Sequence, residues 1–293
     1  MADRAHTLHL GIDGGGTGCR ARLTDADGRV LGEATGGPAN VNTDFAGAIS
    51  SILDVAAAAF AAADLRPGEM ARARAGFGLA GANAARAAER LPAHPFPFAS
   101  VAVASDAETA CLGAHRGEDG GILILGTGSQ GVARVDGRVR TVGGWGFLVS
   151  DTASGATLGR AAVRRALLGH EAIEPPSPFT EAVMARFDAN PSAMLAWALT
   201  AIPRDYAVFA PLVFEAASSG DPVAAEIVRE AAADAGRLLD RLVAHGATRI
   251  ALMGGLSGPY RPWLDSRFDP VLVAPRGDAL DGALALSGLG GPA

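Results

Sequence analysis

The apolar positions of this chain fall into short unbroken runs that end on glycine or an acid. The first, Thr7 to Ile12, carries Leu8, Leu10 and Ile12 and gives way at Asp13 to Gly14-Gly15-Gly16-Thr17. A short apolar run closed by turn residues predicts a buried strand leading into a tight turn. A second strand is expected over Cys19 to Asp25 and a third over Arg29 to Ala34, joined by Asp27-Gly28. Asp-Gly between apolar runs is a strong hairpin signal. The stretch "AISSILDVAAAAFAAADL", Ala48 to Leu65, is the longest apolar candidate for a membrane span. It carries Asp54 and Asp64, so a helix packed on a sheet is expected instead. Beyond it lie "RARAGFGLAG", then "SVAVASD" ending at Asp106, then a predicted helix from Ala107 to His115.

At Gly121 the pattern starts again. "GILILGTGSQGVARVDGRVRTVGGWG" reads as an apolar strand, a Gly/Thr turn, a strand, an Asp136-Gly137 hairpin and a third strand. Gly16-Thr17 answers Gly126-Thr127 at an offset of 126 − 16 = 110, and Asp27-Gly28-Arg29 answers Asp136-Gly137-Arg138 at 136 − 27 = 109. Two matching spacings point to a duplicated unit and to two related α/β domains facing each other. The rest is mainly helical, with helices expected over 179–187, 191–198, 207–218 and 222–245. A further strand in "TRIALMGGLSG" ends in the Gly254-Gly255 turn, and a last helix, 280–286, is placed to cross back to the first domain.

At 293 residues the chain is large enough for one large or two medium domains. A net charge of −6 without a basic run argues against a nucleic-acid surface. No apolar signal core precedes Thr7, so a cytoplasmic protein is expected. Cys19 and Cys111 have no metal-ligand spacing and read as small core residues. The chain has no lysine at all. That excludes the Walker P-loop, protein-kinase chemistry and a Schiff-base lysine. If the protein handles a nucleotide, backbone amides and a metal ion must supply most of the positive charge.

"GTGSQG", Gly126 to Gly131, matches the dinucleotide fingerprint literally, but a hairpin follows it where that fingerprint requires a helix. The remaining role for the Gly turns is anion binding. Successive backbone N–H groups form a nest for phosphate oxygens, and Thr17, Thr127 and Ser129 add hydroxyls.

In order, "GIDGGGT", "SDA", "GTGS", "GGWGF" and "SDTASG" resemble the BadF/BadG-type sugar kinases and ATPases of the actin, hexokinase and Hsp70 superfamily. The resemblance spans essentially the whole chain and is closest to the glucosamine and N-acetylglucosamine kinases. It implies two duplicated ribonuclease H-like (actin-like ATPase) domains with a cleft between them. One would cover 1–114, joined by a C-terminal helix within 278–293, and the other 115–277.

It further implies ATP and Mg²⁺ as cofactors. Gly14, Gly15, Gly16 and Thr17 would cradle the β- and γ-phosphates, with Asp13 organising the metal through water. Gly126, Thr127, Gly128 and Ser129 would form the second phosphate loop, and Gly254 and Gly255 the adenosine site. Asp106 matches the catalytic base, although Asp is also a favoured helix cap. Asn40, Gly144, Trp145 and Asp151 fall on the sugar side. Trp145 reads either as a wall for the pyranose or as core, and Asp151 is the only acid between Gly143 and Arg160 that could meet an ammonium group. The family's D-E-G-S segment is departed from here: Thr152 stands where it has Glu, and Ala153 where it has Gly.

The reaction so implied is phosphorylation of the C6 hydroxyl of glucosamine, with N-acetylglucosamine as the alternative substrate. The partners are the amino sugar and ATP, with no nucleic acid or membrane, and a homodimer is an assembly the family allows. A reductase-activating ATPase, which would need its cysteines at an iron–sulfur cluster, and a non-catalytic sugar sensor are the other classes.

Overall fold

The computed structural model describes residues 7–290. The chain divides into two units, one holding the residues up to Gly120, Arg134–Val139 and the chain from Ala274 on, the other Gly121–Ala133 and Arg140–Val273.

The first unit is built on β1 (Leu8–Gly14), β2 (Cys19–Thr24), β3 (Val30–Gly36), β4 (Ala73–Leu79) and β5 (Ser100–Ser105), in the order β3-β2-β1-β4-β5. β1 to β3 form an antiparallel meander, while β4 runs parallel to both β1 and β5. The apolar run of β1 is buried on both faces, as the central strand of a covered sheet requires.

Helix α1 (Phe45–Ala62) covers β2 and β3, capped by Asp44, whose carboxylate accepts the Gly47 N–H. It is the one helix among the described residues long and apolar enough to cross a membrane. Its buried residues Ala48, Ile52, Val55 and Phe60 pack into the core of this unit. Helix α2 (Ala85–Ala93) follows β4 and α3 (Asp106–Ala114) follows β5.

The second sheet holds β6 (Gly120–Leu125), β7 (Ser129–Val135), β8 (Arg138–Gly143), β9 (Ile250–Met253) and β10 (Leu272–Val273), in the order β10-β9-β6-β7-β8. Read from its other end, this is the strand order of the first sheet, with β6 in the place of β1. Its helices are α4 (Gly155–His170), α5 (Pro178–Ala185), α6 (Pro191–Ala198), α7 (Pro203–Ala207), α8 (Ala210–Ser218), α9 (Pro222–Ala244) and α10 (Ser257–Tyr260). Ser177, Asn190 and Asp221 cap α5, α6 and α9, each ahead of a proline in the first turn. The helix expected over 207–218 begins at Ala210, with Pro211 in its opening turn, and Ala207 instead ends α7.

Helix α11 (Ala279–Leu286) returns to the first unit and packs on β1, β4 and α3. Bare glycines make that contact possible. A Cβ on Gly76 would lie 1.9 Å from the Ala283 carbonyl oxygen, and one on Gly113 would lie 1.7 Å from that of Asp278.

Candidate active site

In the first unit the site is assembled at the carboxyl ends of β1, β4 and β5, where α/β sheets bind ligands. The glycines after Asp13 serve space rather than backbone angle, since none of Gly14, Gly15 and Gly16 has a positive φ. A Cβ on Gly14 would sit 2.7 Å from Leu79 Cδ2 and 2.9 Å from Ala39 Cβ, whereas Gly16 faces open space. Gly15 N–H closes the turn on Gly18 O at 2.8 Å, and Thr17 is exposed. The turn therefore presents bare backbone to whatever approaches it.

Asp13 does not stand alone. The β1–β2 register sets Arg20 directly opposite, and its guanidinium reaches Asp13 Oδ2 at 2.6 Å and Asp278 Oδ2 at 3.4 Å. Arg20 is the site residue that the motif reading missed; counting register across the hairpin would have found it.

The Asn40 turn is tied to the same edge by Ala39 N–H on Gly15 O (2.9 Å) and Val41 N–H on Ala80 O (3.1 Å). Asn40 Oδ1 accepts the N–H groups of Asn42 and Thr43. Its side-chain NH₂ is thereby left pointing away from the turn as a free donor.

Asp106 opens α3 but does not cap it. The cap is Ser105, whose hydroxyl accepts the Glu108 N–H, while Asp106 Oδ1 takes only the adjacent Ala107 N–H at 2.9 Å. Burial pushes the Asp106 carboxyl above the usual carboxylate range, and the negative charge of Asp13 adds to that. Asp13 aligns with Gly78, and Gly78 with Ala104. The two acids thus flank β4, their strands about 10 Å apart at the backbone.

In the second unit the turn after β6 is locked from below. Gly155 N–H donates to Gly126 O (2.7 Å), Ala156 N–H to Thr127 O (3.1 Å), and Gly126 N–H to Gly128 O (2.9 Å). Ser129 is buried and spends its hydroxyl on the Thr152 carbonyl at 2.6 Å, so Thr127 is the exposed hydroxyl of this loop. The Gly254 turn joins the same platform: Leu256 N–H donates to Leu125 O, and a Cβ on Gly254 (φ +88°) would be 2.4 Å from that oxygen. Gly255, beside it, is open.

Asp151 is 8% exposed. Its Oδ1 accepts the Gly146 N–H at 3.1 Å and its Oδ2 lies 3.0 Å from where a Gly128 Cβ would be. Burial raises its carboxyl above the usual range. The structure thus places it as a brace between the Trp145 loop and the Gly126–Ser129 turn. Ala153, the departure from the family glycine, is held at φ +64°, and Tyr260 donates its hydroxyl to the Ala153 carbonyl. Gly143, Gly144 and Gly146 all adopt positive φ, and Trp145 is 77% exposed, which removes the core reading of this residue.

Cys19 and Cys111 are buried, with burial raising their thiols to about 12 and about 11, so neither is disposed as a surface cluster ligand. No group of three or more His, Cys, Asp or Glu suited to a metal occurs among the described residues. Magnesium takes only one or two carboxylates together with water and substrate phosphates, so a single acid such as Asp13 beside an open turn is compatible with it.

Two sheets of one strand order, each with a glycine-rich turn after its first strand, define a duplicated actin-like ATPase of the sugar-kinase type. The chain belongs to the BadF/BadG/BcrA/BcrD ATPase family, whose model matches residues 10–267. It is 39% identical over 280 residues to glucosamine kinase GspK of Vibrio cholerae, covering 96% of this chain and 95% of that one. A solved structure from Chromobacterium violaceum, provisionally named an N-acetylglucosamine kinase, is 38% identical with a TM-score of 0.85, over 96% and 99% of the two chains. ROK hexokinase of Thermus thermophilus shares the fold at 20% identity and TM-score 0.57, over 96% and 97%.

Proposed function

We propose that this chain transfers the γ-phosphoryl group of ATP to the C6 hydroxyl of glucosamine, giving glucosamine 6-phosphate and ADP. The observation that carries the reading is Asp106. It is a carboxylate with a raised proton affinity, released from capping by Ser105, on the same sheet edge as the open Gly15–Thr17 turn. Phosphoryl transfer asks for positioning, charge neutralisation and a carboxylate to receive the hydroxyl proton. Asp106 takes that proton. The free amides of Gly16, Thr17, Thr127 and Gly128 hold phosphate oxygens, with the Thr17 and Thr127 hydroxyls beside them, and Gly254 and Gly255 admit the nucleoside. Asn40 donates its free NH₂ to the sugar, and Trp145 walls it. Asp13 is the residue that would hold magnesium, which when bound neutralises phosphate charge. ATP as co-substrate sets the reaction in the cytoplasm.

Glucosamine is preferred because the glucosamine kinase GspK is similar over nearly the full length of both chains. N-acetylglucosamine is the second reading, favoured by the Chromobacterium violaceum structure. A coupled ADP-release assay over glucosamine, N-acetylglucosamine, glucose and N-acetylmannosamine decides. The highest kcat/KM should fall on glucosamine. A preference for the acetylated sugar would select the alternative, and sugar-independent ADP release would end the kinase reading.

A further inference from the structure

A cavity of about 130 Å³ opens beside the Asn40 turn, lined by Val41, Asn42, Thr43, Phe45, Arg86 and Arg90. Its chemistry is one-sided. Arg86 and Arg90 stand one turn apart on α2, so both project to the same side of the helix. No acid lines the cavity, and neither arginine has a carboxylate partner among the described residues. Arg90 sits over the Phe45 ring, its guanidinium carbon 3.7 Å from the ring centroid. Stacking uses the face of the guanidinium and leaves its N–H donors at the edge. The side-chain amide of Asn42 is likewise unpaired among the described residues. Two unneutralised guanidiniums and an amide around so small a space suit a single carboxylate or phosphate group. Arg20 and Arg22 of the same unit, by contrast, do meet acids: Arg20 meets Asp13, and Arg22 meets Glu33 and Asp281.

The place of the cavity gives its meaning. Asn42 and Thr43 donate their N–H groups to Asn40 Oδ1. The cavity and the free NH₂ of Asn40 are therefore two sides of one turn. We propose that this cavity is an anion subsite of the sugar site, receiving a carboxylate or phosphate carried by an amino sugar whose ring lies at Asn40. The proposal rests on the reading of Asn40 as a sugar residue. The anion has two sources, the phosphate of the product or an acidic substituent on a second substrate.

The test is calorimetric binding without nucleotide, using glucosamine, glucosamine 6-phosphate, muramic acid and inorganic phosphate. The proteins are the wild type, Arg86→Gln and the charge-retaining Arg86→Lys. At least one anionic sugar should bind the wild type more tightly than glucosamine and lose about tenfold in Arg86→Gln, as expected for one charge-assisted contact. Arg86→Lys should recover part of the loss, and glucosamine binding and turnover should stay within twofold throughout. Selectivity for glucosamine 6-phosphate identifies product inhibition; selectivity for muramic acid identifies an acidic substrate. Anionic sugars that bind no better than glucosamine, or are indifferent to Arg86, overturn the proposal. If glucosamine is neither bound nor phosphorylated, the glucosamine reading fails separately. Inorganic phosphate then judges the cavity: binding that depends on Arg86 retains an anion site, and binding that ignores Arg86 removes it.

Discussion

Arg20 faces Asp13 across the β1–β2 ladder, and its guanidinium closes on the carboxylate at 2.6 Å. In a chain without lysine, this guanidinium stands beside the Gly14–Thr17 turn, and it shares Asp278 at the start of α11. The acid proposed for magnesium thus has a fixed orientation before any ligand arrives. Removing it should damage metal use more than sugar use. Asp13→Ala is expected to raise the magnesium concentration for half-maximal activity about tenfold or more and to weaken nucleotide binding. Glucosamine binding without nucleotide should stay close to wild type. Unchanged magnesium dependence would remove Asp13 from the metal role.

How much of this was legible beforehand depended on how local each signal was. The two meanders are announced by Asp27-Gly28 and Asp136-Gly137, and their shared spacing anticipates the common strand order of the two sheets. Helix α4 escaped notice because its glycines answer to packing: a Cβ on Gly159 would lie 1.8 Å from the Tyr206 carbonyl oxygen. No local propensity reports a contact with a residue so far along the chain. α2 carries Pro92 in its last turn and β10 is two residues long, so each gives a weak pattern. The glycine loops themselves were readable as turns. That Ser129 turns its hydroxyl inward to Thr152, and Asp151 its carboxylate to Gly146, is decided by the fold of the 144–155 segment.

The close seat of α11 on the first sheet predicts a sharp stability effect. In Gly76→Ala the new methyl meets the Ala283 carbonyl, a backbone atom that cannot swing aside. Overpacking of this kind costs roughly 1–3 kcal/mol or more. The melting temperature should fall by several degrees, read by circular dichroism, whereas Gly16→Ala, which faces open space, should melt like the wild type. Equal melting of the two variants would contradict the packing of α11.

Asp151 is committed to Gly146 and packed beside Gly128, so its loss should loosen two loops at once. Asp151→Ala is expected to lower kcat/KM by similar factors for glucosamine and glucose and to raise KM for ATP. A charge-assisted hydrogen bond to a substrate ammonium would be worth about 1.5–3 kcal/mol and would make the loss roughly ten- to a hundredfold larger on glucosamine. Such selectivity would show that the carboxylate turns toward the sugar when it binds.

The buried thiols allow a redox test of the alternative activator reading. With Cys19 raised to about 12 and Cys111 to about 11, neither forms thiolate at mild pH in the folded protein. A thiol reagent at pH 8 should leave the native protein unlabelled and titrate both cysteines after denaturation. Rapid labelling of the native protein, or a coloured iron-containing preparation, would bring the cluster-bearing class back.

Asp106 offers the most demanding test, because one substitution should move activity and stability in opposite directions. Its folded carboxyl binds a proton more tightly than in the unfolded chain, through burial first and Asp13 second. The stabilisation this gives is complete at low pH and is lost as pH rises through the raised value, leaving an ionised, desolvated group at neutral pH. Asp106→Asn removes that charge while Ser105 continues to cap α3. The variant should therefore melt above the wild type at pH 7.5, with the difference shrinking toward pH 4. Its turnover should fall about a hundredfold or more, the range for losing a proton acceptor, with ATP and sugar affinities preserved. In the wild type, kcat/KM should decline on the acid side at a pH above the ordinary carboxylate range, because the base must be ionised to act. That acid limb should be absent from the residual activity of the variant. Near-normal turnover in Asp106→Asn would leave the carboxylate without a catalytic role and return the first residue of α3 to an ordinary place in the fold.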